Sequence, residues 1–112
     1  MAATMTPQVF QILVSMLDGP RHGYAIIQDI RERTSDEIKL TASTLYDALA
    51  RLVDHEWIVE TDGSPDEVPG GGARRYYRLT PLGQKAAKSE AERLERLLGT
   101  VRGTRLFRGR RS

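Results

Sequence analysis

Along residues 41–57, TASTLYDALARLVDHEW, apolar side chains return at offsets of 0, 3, 4, 7 and 8 as Leu45, Ala48, Leu49, Leu52 and Val53. That spacing puts them on one side of a helix and predicts that this side is buried. The other side carries Ser43, Thr44, Asp47, Ala50, Arg51 and Asp54, with Tyr46 at its edge. Thr41 can cap the helix by accepting one of the backbone N–H groups that lack a partner in the first turn. The helical rhythm recurs elsewhere. Val9, Ile12, Leu13, Met16 and Leu17 follow Thr6-Pro7, a cap and a first-turn proline, and Asp18-Gly19-Pro20 ends that helix. Ile26, Ile27 and Ile30 form the inward side of a second helix, from His22 or Gly23 to about Arg33. Thr80-Pro81 opens a last helix reaching about Leu98, along which Ala87, Ala91, Leu94, Leu98 and Val101 step by 4, 3, 4 and 3. Such steps make a short heptad seam suited to pairing with a second helix.

Between the third and last helices the period falls to two. Trp57–Thr61 and Arg74–Leu79 are rich in strand formers and read as two strands. Residues 62–73, DGSPDEVPGGGA, hold four glycines and two prolines and separate them as a loop. Three helices followed by a hairpin predict a mainly α fold with a small β-hairpin, a winged helix-turn-helix over residues 6–79. A dimerisation helix over 80–98 and a basic flexible tail over 99–112 complete the expected organisation.

Composition narrows the function. A chain of 112 residues with 39% hydrophobic content makes one small core, and its size favours a homodimer. There is no cysteine, so neither disulfides nor a thiolate metal site are available. No apolar run approaches the roughly 18 residues that suggest a bilayer span, and the N-terminus lacks a signal-peptide pattern. The expectation is a cytoplasmic protein without membrane contact. The formal net charge of +2 conceals a gradient. Residues 1–56 carry 5 basic and 8 acidic side chains, net −3; residues 57–101 balance at 7 each; residues 102–112 carry 5 arginines and no acid. Phosphate contacts must therefore draw on the hairpin and the tail. The tail reads as a non-specific electrostatic arm, and the competing reading docks Val101, Leu106 and Phe107 on a partner subunit.

Each candidate has a plain alternative. The small hydroxyls at the start of the third helix suit entry into a major groove, or are simply a solvated face. Arg74, Tyr76 and Arg78 alternate with Arg75, Tyr77 and Leu79. Arginine beside tyrosine suits phosphate contacts, whereas charge on an edge strand also prevents sheet-to-sheet aggregation. Gly70-Gly71-Gly72 has no following Gly-Lys-Ser/Thr and reads as a wing tip rather than a phosphate cradle. His22 and His55 lack partners at ligand spacing, and no nucleophile–base arrangement stands out, so no metal, cofactor or catalysis is expected. Trp57, the only tryptophan, reads as core.

Three segments carry a family resemblance: Gly19-Pro20-Arg21-His22-Gly23-Tyr24, Thr44-Leu45-Tyr46 with Leu49 and Arg51-Leu52, and Arg74-Arg75-Tyr76-Tyr77-Arg78-Leu79-Thr80 with Gly83. Together and in this order they resemble the short PadR-family transcriptional regulators over roughly residues 7–98. The resemblance implies a winged helix-turn-helix homodimer that represses genes from a palindromic operator in double-stranded DNA and releases it on meeting a small, often aromatic, effector. By match to the motifs it places Ser43, Thr44 and Tyr46 on the DNA-facing helix and Arg74 and Arg75 on the wing. Asp47 and Arg51 on the same helix, Tyr24, and Tyr76 on the wing are further candidate DNA contacts, and the heptad seam gives Ala87, Ala91, Leu94 and Leu98 as dimer contacts. Two departures stand out. Ala42-Ser43 replaces the usual Pro-Gly, and Glu56 stands where the family has a helix-ending glycine, so Glu56 must adopt a left-handed conformation or force another exit. A winged-helix module that binds protein and not nucleic acid is the alternative, favoured by the acidic N-terminal half.

Overall fold

The computed structural model describes residues 5–61 and 75–108. Its elements run α1 (Pro7–Val14), β1 (Arg21–His22), α2 (Gly23–Arg33), α3 (Ala42–Asp54), β2 (Ile58–Thr61), β3 (Tyr76–Leu79), α4 (Pro81–Arg102) and α5 (Arg105–Arg108). The fold is mostly helical with a three-stranded antiparallel sheet in the order β1-β3-β2.

Each of the four long helices begins on a side-chain cap. Thr6 accepts from the Val9 N–H at 3.1 Å, His22 Nδ1 from Ala25 at 3.2 Å, Thr41 from Thr44 at 3.1 Å and Thr80 from Gly83 at 3.0 Å. Each cap satisfies one of the N–H groups that the helix cannot use internally. The apolar stripes then meet: Ile12 and Leu13 of α1, Ile26 and Ile30 of α2, and Leu45 and Leu49 of α3 are all buried. The stripe of α3 is narrower than the spacing predicts, because Val53 is at the surface, and so is Leu17, which follows α1 rather than belonging to it.

The exits of α2 and α3 share one geometry. After α3 the Glu56 N–H donates to the Val53 carbonyl at 2.9 Å and the Trp57 N–H to that of Leu52 at 3.0 Å. This crossed pair closes the helix and requires a left-handed residue, which is Glu56 at φ 62°. After α2, Ser35 donates to Glu32 and Asp36 to Arg31, with Ser35 at φ 52° and Asp36 at φ 66°.

Two expectations change. The hairpin gains a third strand, β1, which pairs Arg21 with Tyr77 and His22 with Tyr76. Two residues are too few for a period-two signal, so sequence patterning passes over β1. The last helix continues through Gly99 to Arg102, and residues 105–108 form a further turn, so the described part of the tail is helical except at Gly103 and Thr104. The rest of the tail lies outside the described residues.

Candidate nucleic-acid interface

The exposed side of α3 presents Ser43, Thr44, Asp47, Ala50, Arg51 and Asp54 opposite a buried side of Leu45, Ala48, Leu49 and Leu52. Thr41 donates its hydroxyl proton to Thr44 Oγ1 at 3.0 Å, so the tip is ordered by its own hydroxyls, and Thr44 keeps a proton to donate outward. Asp47 and Arg51 form no ion pair among the described residues.

Tyr46 is partly withdrawn from this surface. Its ring lies against the first residue of α2, where a Cβ on Gly23 would fall 2.3 Å from the Tyr46 hydroxyl oxygen. Gly23 therefore gives room to the tyrosine, and the tyrosine wedges α3 against the start of α2. The ring remains 44% exposed, so one edge is still available to a partner. Tyr24, in the first turn of α2, is exposed, and its hydroxyl accepts from Gln28 Nε2 at 2.8 Å.

The wing departs further from expectation. Tyr76, expected at the DNA face, is buried and meets the His22 ring edge-on at 5.4 Å between centroids. It cannot reach a phosphate from there, because β1 makes β3 the central strand and the Tyr76 ring packs beside His22 of β1. Tyr77 is buried in the helical core. Burial raises its phenol above the ordinary range, the Glu60 carboxylate adds to the rise, and Arg75 opposes it. Arg75 is exposed, and its Nε lies 3.3 Å from Glu60 Oε2. Arg78 is exposed as well. Arg74 and the glycines at 70–72 lie outside the described residues.

At the other end, Ala87 is buried in this chain's own core, so it cannot open a seam toward a second copy. Farther along the predicted seam Ala91 is exposed, and Leu94, Leu97 and Leu98 are 41%, 51% and 39% exposed. The root of α4 is clamped to the exit of α3: Thr80 Oγ1 donates to the Glu56 carbonyl at 2.6 Å, and the Thr80 N–H to that of Trp57 at 3.1 Å. A Cβ on Gly83 would sit 1.9 Å from the Trp57 carbonyl oxygen, so only glycine allows this approach.

Sequence reasoning missed three contributors: Gly23 as the seat of Tyr46, His22 as the cap of α2, and Glu60 as the partner of Arg75. The first two sit inside a segment already singled out; the third follows from pairing register, which spacing alone does not supply. Among the described residues no three His, Cys, Asp or Glu side chains converge as metal ligands, and no helix is long and apolar enough to cross a membrane.

The segments that build this surface fall within residues 12–89, which match the transcriptional regulator PadR-like family. The chain belongs to that family. Members of this PadR-like family are transcriptional regulators rather than enzymes, built on a winged helix. The PadR-like chain is 42% identical over 79 residues to an uncharacterised protein of Lysinibacillus sphaericus, covering 70% of this chain and 69% of that one. It superposes with a TM-score of 0.71 on a PadR family transcription regulator from Clostridium difficile, at 26% identity over 87% of this chain and 95% of the other. It shares its fold with Bacillus subtilis PadR in complex with operator DNA, at a TM-score of 0.67 and 20% identity, covering 79% of this chain and 48% of that one. The family match ends at residue 89, before Leu94, Leu97 and Leu98 of α4.

Proposed function

We propose that this PadR-like regulator binds double-stranded DNA as a homodimer and represses transcription from a palindromic operator. The observation that carries the reading is the two-sided character of α3, with one side buried and the other exposed, polar and unobstructed at its N-terminal tip. In a helix-turn-helix the second helix enters the major groove tip-first. Ser43 and Thr44 sit where base edges would be read, with Asp47 and Arg51 following along the same side. Arg75, with Arg74 before it, supplies phosphate contacts that hold the register. The operator complex of the B. subtilis relative supports the choice of DNA over a protein partner. The exposed leucines of α4 supply the homodimer contact, through Ala91, Leu94 and Leu98. Release by a small aromatic effector is the family behaviour carried over to this chain.

A gel shift on genomic fragments at low and moderate salt tests the reading. One or a few fragments should stay bound at moderate salt while the rest dissociate, and an aromatic effector should release them. Dissociation of every fragment alike would remove the operator from the reading, and no shift at low salt would leave the protein-interaction module.

A further inference from the structure

Glu60 occupies an unexpected place for an acid. On β2 it pairs in register with Tyr77, and Arg75 precedes Tyr77 by two residues, on the same side of the pleat. The carboxylate reaches Arg75 at 3.3 Å, with Arg75 73% and Glu60 47% exposed. An ion pair this open to solvent adds little to folding stability. Stability therefore does not account for the acid. Glu60 sits beside Arg75, which directly precedes the central strand β3 at the loop end of the sheet, where the proposed function puts a phosphate backbone. A carboxylate there repels phosphate and engages the guanidinium that phosphate would recruit.

We propose that Glu60 is a specificity-determining residue of the wing, holding Arg75 in an internal ion pair that a phosphate must displace. The proposal rests on the DNA-binding reading. Binding to arbitrary sequence depends on phosphate contacts and released counterions. An arginine already engaged by Glu60 contributes less to that binding. On an operator, base contacts from α3 fix the duplex against the wing, and Arg75 changes partner. Glu60 thereby weakens arbitrary sequence more than operator and widens the ratio between them.

The test uses the full chain and a 30-base-pair duplex of arbitrary sequence, with binding followed by fluorescence anisotropy between 50 and 200 mM NaCl. Glu60→Gln keeps the shape and removes the charge. It should bind tighter than wild type at 50 mM, with a salt slope steeper by about one, so that its advantage shrinks about three- to fourfold by 200 mM. Arg75→Ala with Glu60→Gln should show no such gain, because no arginine is left to release. Thermal melts of each variant confirm that the fold is kept. If wild type binds and Glu60→Gln binds equally or more weakly, the role assigned to Glu60 is wrong. If the double variant keeps the whole gain, Glu60 acts by plain repulsion and the coupling to Arg75 is wrong. If no variant binds any duplex, the DNA-binding reading itself falls, and this proposal with it.

Discussion

Gly23 and Gly83 are fixed by what touches them, and the two contacts differ in kind. Gly23 faces a side chain that can be trimmed, and Gly83 faces a backbone carbonyl that cannot. Gly23→Ala should lower stability by about 1–3 kcal/mol, as overpacking does, and added Tyr46→Ala should recover part of the loss. Gly83→Ala should cost about 3 kcal/mol with no side-chain rescue. Gly99, in α4 with open space around it, should tolerate alanine and gain about 0.5–1 kcal/mol. Urea unfolding of the variants checks all three, and equal losses at Gly23 and Gly99 would contradict the contacts. Tyr77 gives a pH signature. Its folded pKa is raised, so its stabilisation is full below the unfolded value, about 10, and is lost as pH rises through the higher folded value. Thermal melts of Tyr77→Phe should therefore fall less steeply above pH 10 than those of wild type. Roles of this kind were hardly legible in the sequence: a pattern marks Gly23 and Tyr46 as notable residues, but only the tertiary fold makes them neighbours.

Helices α1 to α4 were legible because their apolar steps, and the threonine caps of α1, α3 and α4, are local properties of the chain. Strand β1 was not, since its existence depends on partners more than fifty residues away in β3. The same dependence misassigned Tyr76, which alternation puts outside and the third strand covers. Val53 shows the limit of periodicity in helices: spacing gives the angle of a side chain but not the width of what packs against it. The exit of α3 was legible as a conflict between a glycine position and Glu56. The chain accepts the left-handed residue because both crossed hydrogen bonds and the Thr80 clamp use backbone groups that any residue supplies. Glu56→Gly should keep those bonds and remove the Cβ strain, raising stability by about 0.5–1 kcal/mol once the looser unfolded chain is counted. A lower melting temperature in that variant would mean that the Glu56 side chain holds something its backbone does not.

At the scale of the whole molecule, α4 projects well past the core, and the molecule extends to 56 Å along its longest axis. Beyond Ala87 no residue of α4 is buried in this chain. A homodimer built there repeats each contact by symmetry, so Leu94→Glu introduces two charges at once. Sedimentation should then report a monomer, and a dimer of unchanged mass would move the interface elsewhere. The fastening of Thr80 and Gly83 to the exit of α3 has a mechanical corollary. With no slack at that joint, α4 and α3 turn together as one crank. A helix of 22 residues is about 33 Å long, at about 1.5 Å per residue. A tilt of about 5° between paired α4 helices would shift their two roots, and with them the reading tips, by about 3 Å relative to one another, close to the spacing of successive base pairs at about 3.4 Å. A small molecule acting on α4 would thus need no route through the protein interior to put the two tips out of step with the grooves.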